Sequence, residues 1–437
     1  MKRLGFLLIL LAAWLNLVRP VLAQTGTPLV LVLEAKGTVA PAMKEYITRG
    51  LKAAEQRGAE LVVIKLNTPG GLISEMEVIV QTIRESRVPV VVYVSPRGGT
   101  AGSAGAIITI AAHASAMAPE TIIGAASPIS GDGQDMGETL ERKQKEALRA
   151  QARALTENRP AEAVALAEEM IEIARAVSAN EAIETGLIDF IANDLNDLLG
   201  KLDGFQVQMP DGARTLETTD ARVESLSMSF IEQLLDILAN PNITFLLITI
   251  GVQAILIEIS SPGGWVAGFV GAVCLALAIY GVGILPVNWF GLIFLVLAFI
   301  LFILEIKTPT FGALTAAGVG SLIVGALILF NSPGVPQFQR VSIPLVIATS
   351  IVIGASFAVL VGIGLRAQRT PVQTGQESLP GAHGVARTTI NPTGQVHLQG
   401  ELWSAELAEG VEAIQPGEKV EVVRVEGLRL IVRKIQA

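Results

Sequence analysis

Between residues 27 and about 200 the chain alternates two hydrophobic periods. Short aliphatic runs (LVLVLEA, ELVVIKL, VPVVVYV) are separated by longer stretches, APAMKEYITRGLKAAEQRG and LISEMEVIVQTIRES, whose apolar residues recur every three or four positions. The runs predict strands and the longer stretches helices, so the segment reads βαβαβ. That order calls for a parallel sheet buried between helices. A polar stretch, MPDGARTLETTDARVES, then reads as a joint.

From about residue 243 the pattern changes to apolar runs at 243–260, 264–285, 288–306, 311–330 and 343–365, each near the length of a membrane crossing. The second, fourth and fifth make the safest spans. An internal repeat runs through them: LIEISSPGGWVAGFVGA around Glu258 returns as ILEIKTPTFGALTAAGV around Glu305, 47 residues on. Acids near lipid are costly and can mark function; we read these two as interfacial helix ends. Five crossings from an outside start leave the C-terminus inside, and Arg366 and Arg369 agree with the positive-inside rule. From Gly381 onward short alternating runs separated by turn glycines predict a small all-β, OB-like barrel.

Composition sharpens this picture. Of 437 residues 51% are hydrophobic and 16% charged, against roughly 25% charged in soluble chains. A net charge of −8, and seven acidic against six basic residues from Leu379 onward, exclude the basic footprint of a nucleic-acid binder. One cysteine, Cys274, allows no disulfide framework, and three scattered histidines argue against a metal centre. No cofactor is expected. Lys2 and Arg3, the apolar run Leu4–Leu15 and the small-residue site Val21-Leu22-Ala23 predict a leader cleaved after Ala23. Asn16 and Arg19 shorten the run too much for the alternative, an uncleaved anchor.

The candidate chemistry lies in GGTAGSAGAII, Gly98–Ile108, where four glycines surround Ser103. The volume is cleared either for a nucleophile that a substrate backbone must approach or for a tight helix-packing seam. The stretch follows the third strand and continues as AGAIITIAAHASAMA, which can run as a helix. A serine at a strand-to-helix turn sits at the carboxyl edge of a parallel sheet, with helix N–H groups aimed at it. Ala101-x-Ser103-x-Gly105 is a loose relative of the nucleophile elbow. The second strand ends in Thr68-Pro69-Gly70-Gly71, again at a carboxyl edge. Its glycine amides can line a pocket. Gly70 or Gly71, together with Ala104, are the candidate oxyanion donors.

A serine needs a base. His113 lies ten residues beyond Ser103, about 15 Å away along a helix at ~1.5 Å per residue, so a structural or surface role is assigned to it. His383 and His397 belong to the C-terminal module. A lysine whose pKa is lowered by burial is the other route. In ETLERKQKEALRAQARALTENR, Leu140, Ala147, Ala150 and Ala154 share one helical face with Lys143. Arg142, Glu146, Arg149 and Arg153 make the opposite, wet face, with Lys145 beside it.

The runs KLNTPGG, AGSAGAIITIAAHASAMAPETIIGAASPI and ANEAIETGLIDFIANDLNDLL, in this order, resemble the NfeD family of membrane-bound, ClpP-class serine proteases. The resemblance extends over nearly the whole chain and matches the long form. It implies a leader over 1–23, an α/β ClpP/crotonase-like protease domain over 24–225, about five membrane helices over 240–367 and an OB-like domain over 378–437. It further implies a Ser–Lys dyad, with the serine at Ser103 and the lysine at Lys143. The loop SGDGQDMGE could move the register to Lys145, and the asparagine that often follows the family lysine is not evident. Similar proteins cut hydrophobic segments of stomatin-like membrane proteins without ATP and form dimers or larger assemblies. The expectation is therefore a multi-pass membrane peptidase, homo-oligomeric and in contact with lipid, with its protease domain outside the cytoplasm and its barrel inside. A non-catalytic organiser binding a stomatin-type protein is the alternative. An acyl-CoA enzyme of crotonase fold fits poorly, because an exported domain would not meet CoA.

Overall fold

In a computed structural model of the chain, residues 27–129, 137–260, 263–308, 310, 312–331, 339–368 and 378–435 are described. The leader, most of the loop at 130–138 and Arg369 lie outside them. The first domain opens as its periodicity predicts: β1 (Leu29–Lys36), α1 (Pro41–Gln56), β2 (Leu61–Asn67), α2 (Ile73–Arg84) and β3 (Val90–Val94). All five residues of β3 are buried, as a strand covered on both faces requires. Two clusters, one led by Leu31, Leu33 and Ile64 and one by Val30, Val63 and Tyr93, form the core on the two sides of the sheet.

Next come β4 (Thr100–Gly102), α3 (Ala104–Ile110), β5 (Ala114–Met117) and β6 (Ile122–Gly124). They are followed by α4 (Glu138–Leu155), α5 (Ala161–Glu172), β7 (Ala176–Ser178), α6 (Ala179–Glu184), β8 (Phe190–Ile191) and α7 (Leu195–Leu202). The strands β9 (Gln206–Met209), β10 (Gly212–Thr215) and β11 (Arg222–Leu226) close the domain. The main sheet is wholly parallel in the order β11-β1-β2-β3-β5-β8, and β4-β6-β7 form a second, smaller sheet.

Two expectations need correction. The helix after Ser103 stops at Ile110, and the chain re-enters the sheet at Ala114 as β5, because the apolar run is shared between a short helix and a buried strand. The polar joint is also structured: β9 and β10 pair as a hairpin and β11 pairs with β1. As an exposed edge strand, β11 lacks the apolar run that marks a strand in sequence. Tyr46 of α1 secures it, accepting Glu34 N–H and donating to Leu226 O.

A short helix, α8 (Phe230–Leu238), leads into α9 (Pro241–Ser260), α10 (Val266–Ile284), α11 (Trp289–Lys307), α12 (Ala313–Phe330) and α13 (Ile343–Gln368). Five helices thus occupy the five apolar runs. Among the described residues Pro241–Ile259, Val266–Ile284 and Ala313–Phe330 are long and apolar enough to cross a membrane. The apolar stretches Trp289–Glu305 and Ile343–Val359 are shorter. The repeated glutamates close the two helical hairpins. Glu305 accepts N–H bonds from Thr310, Gly312 and Thr315 at 2.8–3.1 Å, and Glu258 accepts them from Gly263, Trp265 and Gly268 at 3.1–3.4 Å. Each carboxylate sits where the first turn of the following helix has amides to spare.

The C-terminal strands β12 (His383–Ala386), β13 (Thr393–Leu398), β14 (Glu401–Leu407), β15 (Lys419–Glu426) and β16 (Arg429–Lys434) close into a barrel in the order β12-β13-β14-β16-β15. Ile390, Val396, Val420 and Val432 fill it, consistent with an OB-like domain.

Candidate active site

One parallel bridge assembles the serine site. Beyond β2 the chain reaches Thr68, which pairs with Ala101 of β4. Thr68 N–H donates to Thr100 O at 2.7 Å, and Gly102 N–H donates to Thr68 O at 2.9 Å. Two residues further along both strands, Gly70 arrives beside Ser103. The approach is so close that a Cβ on Gly70 would lie 2.6 Å from Ser103 Cβ. A Cβ on Gly102 would lie 2.9 Å from Pro69 O, and one on Gly105 would overlap Thr68 Cγ2. The small residues around Ser103 make room for the end of β2, not for a helix-packing seam.

Ser103 is the N-cap of α3, with φ 51° and ψ −118°. Residues bearing a side chain seldom occupy this region, and strain of this kind clusters at functional turns. Its N–H is held by Gly124 O at 2.8 Å. Its hydroxyl makes no hydrogen bond among the described residues and lines a cavity of about 40 Å³. Gly71, Met76, Ala104, Ile107 and Leu148 form much of that cavity, which is therefore largely apolar.

The amides divide in a way the sequence did not disclose. Gly70 N–H donates to Thr68 Oγ1 at 3.0 Å, and Gly70 O accepts Val39 N–H at 2.9 Å. The N–H groups of Gly71 and Ala104 enter no hydrogen bond among the described residues, and both residues line the cavity with Ser103. Two free donors thus flank one hydroxyl, the arrangement a developing oxyanion needs. Thr68 had no role in the sequence reading. Fully buried, it occupies the Gly70 amide and leaves that of Gly71.

His113 lies in the turn between α3 and β5, so the helical distance expected for it does not apply. Its Nδ1 accepts Val90 N–H at 3.1 Å, a bond to the backbone of β3. Burial, with Arg84 nearby, pushes its pKa down to about 4. His383 and His397 lie on β12 and β13 of the barrel.

Helix α4 presents a different face from the one expected. Leu148 and Ala152 are its buried residues, whereas Leu140, Lys143, Ala147, Ala150 and Ala154 are exposed. Alanine methyls offer little apolar area to drive burial. Of the expected wet side, Arg142, Glu146 and Arg153 are exposed as expected, while Arg149 is half-buried against α5, where Glu168 accepts Arg149 Nη2 at 2.7 Å and Arg153 Nε at 2.6 Å. Lys143 lines a shallow surface depression with Glu138, Thr139 and Leu140, apart from the Ser103 cavity. Lys145, three residues before Leu148, shares that residue's side of the helix. Its Nζ is paired with Glu141 at 2.8 Å, a hydrogen bond that raises its pKa. Lys143 has no ion pair or hydrogen bond among the described residues.

Comparison with known proteins gives these parts a common context. Consecutive family profiles match the chain: NfeD1b N-terminal domain over 29–209, NfeD integral membrane domain over 242–363, and NfeD-like C-terminal, partner-binding domain over 376–434. The chain is 36% identical over 425 residues to the membrane-bound protease PH1510 of Pyrococcus horikoshii, with 95% of each covered. It is 29% identical over 458 residues to the membrane protein NfeD1b of Bacillus subtilis, covering 98% of this chain and 97% of the other. A solved structure, the 1510-N membrane protease specific for a stomatin homolog from Pyrococcus horikoshii, is 32% identical. It covers 48% of this chain and 98% of its own, with a TM-score of 0.42. An α/β domain, apolar helices and a small barrel, in this order, with similarity along 95% of the chain to a membrane-bound protease, define a membrane-bound peptidase. The chain belongs to the NfeD family, in its long form.

Proposed function

We propose that this peptidase is an ATP-independent serine endopeptidase using Ser103 as nucleophile and Lys143 as general base. Neutral Lys143 Nζ takes the hydroxyl proton as Ser103 Oγ adds to the peptide carbonyl carbon, and the Gly71 and Ala104 amides hold the oxyanion. The lysine then gives its proton to the leaving amine, and water releases the acyl group. The observation that carries this reading is the pair of unbonded amides around a strained serine hydroxyl in an apolar cavity. Lys143 is favoured over Lys145 because Glu141 keeps the latter charged, although Lys145 lies on the cavity side. Lys143 is exposed, so in this reading it acts once a bound substrate covers it. An apolar substrate crossing Ile129 and Leu140, which are 58% and 50% exposed, would supply that cover.

The same apolar surface supports substrates that are hydrophobic segments of membrane proteins. The relative specific for a stomatin homolog points to stomatin-like proteins among them. The barrel, matched by a partner-binding family, would recruit such a partner. In this reading the protease domain works outside the cytoplasm, the barrel lies inside and the chain forms homo-oligomers.

The test is cleavage of a peptide from the C-terminal region of a stomatin-like protein by wild type, Ser103→Ala and Lys143→Ala, with labelling by a serine-reactive phosphonate. Cleavage and labelling should both vanish with Ser103→Ala. Wild-type rates in either variant overturn its assigned role. A wild type that neither cleaves nor labels supports the second reading, a non-catalytic organiser, which the lack, among the described residues, of a base bonded to Ser103 Oγ favours.

A further inference from the structure

Helix α8 has one side engaged by the protein and another left bare. On the engaged side Glu232, 4% exposed, accepts Arg49 Nε at 2.7 Å and Arg49 Nη2 at 2.8 Å. Arg49 Nη2 also donates to Ser227 O at 2.8 Å, so α1 of the peptidase domain grips the start of α8 through two of its bonds. On the bare side Phe230, Ile231 and Ile237 are 79%, 66% and 51% exposed. With half-buried Leu234 they follow the spacing i, i+1, i+4, i+7 of a single helical stripe.

The position of this stripe identifies what covers it. Only Ala239 and Asn240 separate α8 from Pro241, the first residue of a helix able to cross a membrane. The end of α10 returns to this level, since a Cβ on Gly281 would meet Leu238 O at 2.9 Å. Helix α13 begins here too, with Ser342 N–H donating to Asn242 Oδ1 at 2.8 Å. So does α11, four residues beyond α10, and its first residues Trp289 and Phe290 are 61% and 66% exposed. Exposed aromatics at the ends of membrane helices mark the headgroup level. The stripe of α8 and this aromatic pair therefore lie at the same end of the helical bundle.

We propose that α8 is an interfacial lipid-binding helix. Its Phe230–Ile231–Leu234–Ile237 stripe sinks into the boundary between headgroups and acyl chains, and the Arg49–Glu232 bridge fixes the peptidase domain to it. The domain is then seated on the bilayer at a set orientation rather than swinging on a tether. Helix α8 carries no lysine or arginine, so the seat depends on apolar area and needs no anionic lipid.

The full chain in nanodiscs tests this by spin-label accessibility. Cys274 is the only cysteine, so a Cys274→Ala background admits single labels through Phe230→Cys, Ile231→Cys, Ile237→Cys and, as the water-facing reference, Asp211→Cys in the exposed turn between β9 and β10. Four separate reporters guard against one variant failing to fold. The expected result is an oxygen-to-nickel-chelate accessibility ratio several-fold higher at 230, 231 and 237 than at 211, unchanged between phosphatidylcholine discs and discs with added phosphatidylglycerol. Equal nickel access at all four positions overturns the proposal. So does dipolar broadening at 230 or 231 that unlabelled protein relieves, because a second copy then covers the stripe. Embedding only in anionic discs overturns the apolar account of the seat.

Discussion

Gly70 Cα faces the side chain of Ser103 with no room for another carbon: a Cβ there would stand 2.6 Å from Ser103 Cβ and 3.2 Å from Oγ. Gly70 also holds φ +119°, a backbone conformation that suits glycine. These two constraints make Gly70 the residue that sets where the serine hydroxyl points.

Gly70→Ala is therefore expected to cut phosphonate labelling of Ser103 at least tenfold, an effect of about 1.4 kcal/mol or more on the reactive geometry. Gly98→Ala is the control: it shares a positive φ of +74°, yet nothing lies within 4 Å of a Cβ there. It should lose some stability and keep its labelling rate. Equal loss in both variants would mean that backbone strain, not contact with Ser103, is responsible.

The two lysines of α4 should separate cleanly in kinetics. Lys143→Met is expected to lower kcat/KM roughly 100-fold or more, the scale of a lost general base. Lys145→Met removes an amine committed to Glu141 and should stay within about twofold of wild type. The reverse ranking in a peptide-cleavage assay would transfer the role of base to Lys145, which shares the side of Leu148.

Much of this architecture was readable in the sequence because its signals are local. The runs LVLVLEA, ELVVIKL and VPVVVYV became β1, β2 and β3, and the apolar runs became five helices, since each buries nearly every residue or sits in lipid. Ser103 and the glycines after Thr68 were readable for the same reason, each marking a turn at a strand end. What escaped depends on partners distant in sequence. β11 is a strand only because β1 lies beside it, and the face of α4 is set by Leu148 and by Glu168 of the next helix. The choice between the Gly70 and Gly71 amides required a threonine hydroxyl whose direction no pattern encodes.

His113 predicts a pH response separate from the serine chemistry. Its folded pKa of about 4 lies below the ordinary 6.5, so as pH falls the unfolded chain takes up the proton first. Stability from this residue is complete above about pH 6.5 and is lost progressively as pH falls towards about 4, by roughly 2–3 kcal/mol. His113→Asn keeps an acceptor near Val90 N–H but does not titrate. Its unfolding midpoint, followed by denaturant titration across this range, should vary less with pH than that of wild type. Parallel curves would show that the imidazole is not the group responsible.

The repeated glutamates predict an asymmetry between two hairpins of the same design. Glu305 is 1% exposed and accepts three backbone N–H bonds together with Thr310 Oγ1 at 2.8 Å. Glu258 accepts three longer bonds, at 3.1–3.4 Å, in a more open turn. Removing a buried acceptor leaves its donors unpaired, at a cost of about 1–3 kcal/mol for each affected group. Glu305→Ala should therefore lower the thermal unfolding midpoint of the detergent-solubilised chain clearly more than Glu258→Ala does. Glu305→Gln, which keeps one acceptor oxygen, should fall between Glu305→Ala and wild type. If the two alanine variants melted together, the shared motif would be holding both turns by helix packing alone, and the carboxylates would not be what closes them.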